Sequence, residues 1–204
     1  MRGAMPLNTD YLEDALSNVG FKSEKSHDFV RHWFSLRGDA LVPRRQAFDP
    51  ADVPHLLANI SIHEFVAPER IELRLAGTKL VERYGQEITG RNYLDFVPEA
   101  RREKTYELLS HIIKQPCGML VRMRTATNVG ILGGGNESVG LPFHNRDGLL
   151  NTVMYHVANW EYDRSTADPG QRMEAHFPTE RVYFDLGAGL PDWDDEPYPV
   201  ANTT

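Results

Sequence analysis

Between Ser26 and Leu36 the pattern SHDFVRHWFSL places Phe29, Val30, Trp33 and Phe34 on one side of a helix, with Asp28, Arg31 and His32 on the other. Gly38 supplies the stop. An aromatic face of this kind is too apolar to leave in water, so it docks either on the rest of the domain or on a second copy of the chain. Asp49 followed by Pro50 has the chemistry of a helix cap and first helical position, opening a short helix toward Leu57. The period then changes to two. Ile60 to Val66 and Ile71 to Ala76, separated by APER, predict an antiparallel hairpin. In its second strand Ile71, Leu73 and Leu75 share one face while Glu72 and Arg74 share the other, which predicts a sheet with one buried and one wetter side.

From Gly77 the chain reads as about two turns of helix ending at Gly85, with a further turn at Gly90. EARREKTYELLSHIIKQ follows as a longer helix, with Thr105, Leu108, Leu109, Ile112 and Ile113 along one face, acidic at its start and basic at Lys114. Pro116 ends it. Strand patterns return over Gly118 to Thr125, Glu137 to Asn145 and Leu150 to Trp160, and Asp147-Gly148 between the last two is a hairpin signal. GILGGGNESVG, Gly130 to Gly140, reads as a strand-to-strand loop. Residues 1–25 read as an arm with a weak helical stretch over Tyr11 to Ser17. Residues 163–204 read as a polar, partly disordered extension with a short strand at Arg181 to Leu186.

Composition narrows the classes. With 204 residues the chain holds one full-sized domain plus an arm or tail, and 41% hydrophobic residues suffice for a core. A net charge of -7 without a long Lys/Arg run argues against nucleic acid as a partner. No stretch approaches the roughly 18–20 apolar residues of a membrane helix, and the first residues lack the apolar segment of a signal peptide, so the expectation is a cytoplasmic protein without a membrane partner. The single cysteine, Cys117, opens an apolar strand and reads as a small hydrophobe.

Candidate chemistry is sparse. The Gly130–Gly140 run has neither of the phosphate-loop spacings, and Gly77-Thr78-Lys79 is not a Walker lysine. The eight histidines show no metal-binding spacing, and His111 lies beside the apolar stripe of its helix, so neither haem nor metal is expected. Ser61, Ser110 and Ser138 sit in no nucleophile elbow. His63 and Glu64 are strand neighbours that point to opposite faces and cannot form an acid–base pair. No catalytic residue is assigned, and the reading is non-enzymatic.

The element order, helix, two strands, several short helices, one longer helix and three strands, resembles the PAS fold. The Trp33 helix running into Leu36-Arg37-Gly38, Pro43 with Phe48-Asp49-Pro50, the Leu75-Ala76-Gly77-Thr78 turn, and Tyr84-Gly85 through Thr89-Gly90-Arg91 are similar to an alphaproteobacterial PAS subfamily formerly catalogued as a domain of unknown function. The resemblance spans about Phe29 to Tyr162 and places the domain over residues 26–162. It implies an α+β fold, a five-stranded antiparallel sheet with short helices on one face and an N-terminal amphipathic helix. By function it implies a sensory or regulatory module that binds a small ligand or a signalling protein and pairs with itself as a homodimer; the length of 204 residues adds the expectation that it acts through another protein. A pocket between the sheet and the short helices would be lined by Leu73, Leu75, Tyr84, Tyr93, Phe96, Met123, Phe143 and Tyr155, with Arg91 as the charged contact. The same residues suit a filled core, as in a constitutive adaptor, and a small-molecule enzyme is the remaining alternative. The identity of any ligand or cofactor is left open. Phe29, Val30, Trp33 and Phe34 are the candidates for a dimer or partner surface.

Overall fold

A computed structural model describes residues 16–17, 19–127, 130–160 and 173–192. Apart from Leu16 and Ser17, the expected arm helix lies outside the described residues, as does the tail beyond Asp192. Helix α1 (Glu24–Arg37) precedes a run of single 3-10 turns at Arg45–Ala47, Pro50–Asp52 and Leu57–Asn59. Strands β1 (Ile60–Ala67) and β2 (Arg70–Ala76) lead into α2 (Thr78–Tyr84), two more 3-10 turns and α3 (Arg102–Lys114). Strands β3 (Cys117–Thr127), β4 (Gly130–His144), β5 (Leu150–Trp160) and β6 (Met173–Asp185) complete an antiparallel sheet in the order β2-β1-β5-β4-β3-β6.

Local chemistry accounts for several of these boundaries. The Asp49 carboxylate accepts the Ala51 amide at 2.9 Å, capping the 3-10 turn that starts at Pro50. Gly85 closes α2 in the left-handed conformation at φ +66°, a region other L-residues rarely adopt. In the β4–β5 hairpin Gly148 takes φ +83° while the Asn145 side chain accepts the Asp147 and Leu149 amides.

Three expectations are corrected here. The sheet has six strands, because Met173–Asp185 pairs with β3 from Cys117 opposite Asp185 to Thr127 opposite Met173. The sheet therefore extends beyond residue 162 into the segment read as a polar extension. GILGGGNESVG is the first part of β4 and not a loop. At Gly135 it pairs with Arg124 on one side and Trp160 on the other, so backbone ladders hold a stretch whose glycines carry no side-chain alternation to reveal it. The wetter side is confined to the β2 edge, where Glu72 and the exposed Arg74 pair while Ile71 and Leu73 are buried; the central strands are covered on both faces.

Alternation along the central strands sends successive residues into two layers. Val139, Leu141 and Phe143 of β4, Leu120 of β3 and Met154 of β5 pack with Phe29, Val30, Trp33 and Phe34 of α1. On the opposite face Met119, Val121, Val153, Tyr155 and Phe65 pack with Leu109 and Ile112 of α3. The four α1 residues are 0–1% exposed within a single chain, so their expected role as a dimer or partner surface is corrected to core packing. Each such buried side chain contributes about 1.5–3 kcal/mol. Polar contacts fix the helix in register. Trp33 Nε1 donates to the Pro142 carbonyl at 2.8 Å, and Arg37 Nη1 to the Leu186 carbonyl at 2.6 Å. At the other end the fully buried Glu137 carboxylate accepts the Lys22 and Ser23 amides at 2.9 and 3.3 Å, and lies 3.6 Å from Arg122 Nε. Arg122 also donates to the Gly20 carbonyl and to Glu180, joining β3, β6 and the lead-in to α1.

Candidate ligand-binding site

The α3 layer contains a buried aromatic and polar cluster built from β1, β5 and the 3-10 turn Tyr93–Phe96. Ser61, His63 and Phe65 alternate onto this face from β1, and Tyr155 stands directly opposite Ser61 on β5. The His63 ring lies between two tyrosines, with centroids 4.9 Å from Tyr93 and 4.5 Å from Tyr155. Ser61 Oγ is 3.1 Å from His63 Nε2. The Tyr155 ring covers Gly140 so closely that a Cβ there would lie 2.4 Å from the ring, which makes glycine the only side chain that leaves the ring its place.

His63 and Tyr155 are 6% and 5% exposed, and His63 Nδ1 and the Tyr155 hydroxyl have no hydrogen-bond partner. If Nε2–H donates to Ser61, Nδ1 is an acceptor; if Ser61 donates to Nε2, Nδ1 carries the proton and is a donor. An unsatisfied buried polar group of this kind costs about 1–3 kcal/mol. Other buried atoms share this state, among them both ring nitrogens of His156 against Phe29; what distinguishes the α3 layer is that its two belong to rings in direct contact.

Burial also sets the charge state. It pushes the His63 imidazole down to about 3 and the Tyr155 phenol well above its ordinary value, with Tyr93 and Tyr183 adding to the latter and Arg181 opposing it. Both groups are neutral at neutral pH. Burial and the Asp185 carboxylate push the Cys117 thiol up to about 12, so it is no nucleophile. Among the described residues no three His, Cys, Asp or Glu side chains are grouped to hold a metal ion.

The residues expected to line a pocket divide. Tyr93, Met123 and Tyr155 belong to this layer, and Leu73, opposite His63, is buried on the same face. Leu75 does not. A β-bulge at Arg74 moves Leu75 opposite Ile62, on the other face, where it is 40% exposed. Phe143 is fully buried, but in the α1 layer against Phe48. Tyr84, Phe96 and Arg91 form a separate stack: the two rings meet at 5.0 Å, and the exposed Arg91 guanidinium lies 4.8 Å over Phe96 while donating to Gln86. Arg91 as the charged contact of an inner pocket is thereby corrected. Ser61 and His63, which the structure brings into this cluster, were not among the expected lining residues. Their signal is two polar side chains, two apart, on the strand face that also presents Phe65.

The model of the PAS domain family matches residues 21–154. The chain belongs to the PAS family. Its α+β PAS-like fold follows the expected element order, with β6 added at the β3 edge of the sheet. PAS domains are in general non-enzymatic sensory or regulatory modules, and the matched span includes Ser61, His63, Tyr93, Gly140 and the first part of β5. A comparison with curated proteins finds no match.

Proposed function

We propose that this PAS domain is a non-enzymatic sensor whose α3 layer receives a small molecule at the Ser61–His63–Tyr93–Tyr155 cluster. The observation that carries the reading is the pair of unpartnered buried atoms, His63 Nδ1 and the Tyr155 hydroxyl, in a layer otherwise packed with apolar side chains. A route from the cluster to α1 runs along β4. Tyr155 rests on Gly140, and two residues on, the Pro142 carbonyl accepts Trp33 Nε1. A ligand that moves the Tyr155 ring changes the bed of α1, provided it binds the two packings with different affinity. Pairing with a second copy belongs to the same reading and must use a surface other than the buried Trp33 face.

Native mass spectrometry of the full chain tests this reading. The expected result is a small-molecule adduct on the wild type that is lost in Tyr155→Phe. A bare chain mass from every preparation favours the constitutive adaptor.

A further inference from the structure

Resting on that ligand-binding reading, we infer that the cluster selects an uncharged ligand head, an amide, ketone or hydroxyl, over its anionic or cationic counterparts. The groups on offer are a phenol, an imidazole and a serine hydroxyl, all neutral by chemistry or by burial. A carboxylate placed against His63 would meet a neutral, fully buried imidazole in place of a cation. An ammonium would meet the positive field of Arg181, which already bears on Tyr155. Arg181 is the one charged side chain acting on the Tyr155 phenol, and it has interactions of its own. The nearby charges of the hairpin are committed elsewhere: Arg74 pairs with Glu64 and Glu72 on the opposite face. An ammonium would therefore meet neutral dipoles and a positive field, and a carboxylate neutral dipoles and an Arg181 already engaged in interactions of its own; a buried charge without a committed counter-ion is far more costly than a buried amide. An amide or hydroxyl loses little and satisfies atoms that are otherwise unpartnered.

The test titrates benzamide, benzoate and benzylammonium into the full chain, following the ring resonances of His63 and Tyr155 by NMR, with Tyr155→Phe as the second protein. Benzamide is expected to shift both rings and to bind at least about tenfold more tightly than either charged probe. Tyr155→Phe, folded by its melting curve, is expected to lose about tenfold in benzamide affinity. Benzoate or benzylammonium binding as tightly as benzamide, with a dependence on Tyr155, overturns the inference and leaves ligand binding standing. No response to any probe, from a chain that also carries no adduct by native mass spectrometry, overturns both.

Discussion

The imidazole of His63 and the phenol ring of Tyr155 lie 4.5 Å apart at 48°, and each presents a buried polar atom that nothing in the protein satisfies. Removing one such atom without changing the ring should help the empty fold and harm binding. Tyr155→Phe is expected to stabilise the ligand-free chain by about 1–3 kcal/mol in urea denaturation. A loss of stability would mean that the hydroxyl already has a partner.

The second prediction concerns pH. Burial holds His63 down to about 3 and His156 to about 4, with Lys25 and His55 adding to the latter, whereas an unfolded histidine titrates at its ordinary 6.5. Below about 6.5 the unfolded chain takes up protons that the folded chain refuses, so stability falls as pH falls, until about 4 for His156 and about 3 for His63. Within that window each histidine contributes a slope of about 1.4 kcal/mol per pH unit. Denaturation at pH 7.5 and 5.5 should show the loss, and His63→Phe should reduce it by less than half, because burial also lowers His32 and His111. Equal stabilities at the two pH values would contradict the buried, neutral state of both rings.

Glu137 carries the third. Its carboxylate caps the lead-in to α1 through the Lys22 and Ser23 amides and faces the largely buried Arg122. Glu137→Ala should cost about 3–5 kcal/mol, because it leaves a buried guanidinium short of a partner and two amides without an acceptor. Hydrogen exchange should accelerate at Lys22 and Ser23 first. Uniform acceleration across the sheet would point to general loosening and not to this capping contact.

Trp33 carries the fourth. Because its ring is buried against the sheet and its Nε1 is bonded to Pro142, Trp33→Ala should destabilise the chain by about 3–5 kcal/mol, through lost burial and the cavity left behind. Light scattering on whatever fraction stays folded should give the same mass as the wild type. A drop in mass with unchanged stability would restore the Trp33 face as a partner surface.

What the sequence reveals here follows from how much each segment differs between its two faces. The spacing of Phe29, Val30, Trp33 and Phe34 reads as a helix because its other side is charged, and Glu24–Arg37 is that helix. In β4 both faces are buried, so alternation does not tell which layer Phe143 enters; only pairing with Thr152 decides it. A single extra residue at Arg74 sends Leu75 to the face opposite Leu73, and no local pattern announces a bulge. The part of β4 before Glu137 was hidden by its glycines, of which Gly135 is paired on both sides. Ser61 and His63 escaped notice for a different reason: polar residues on a strand ordinarily mark the wet face, and here they lie buried in the α3 layer.

The most direct test of the ligand-binding account is a crystal structure of the purified full chain, read at His63 Nδ1 and the Tyr155 hydroxyl. The account predicts non-protein density larger than a water molecule, within hydrogen-bond distance of the Tyr155 hydroxyl and against the His63 ring. Both atoms satisfied by ordered waters alone, or by neighbouring side chains with no room between them, would contradict it.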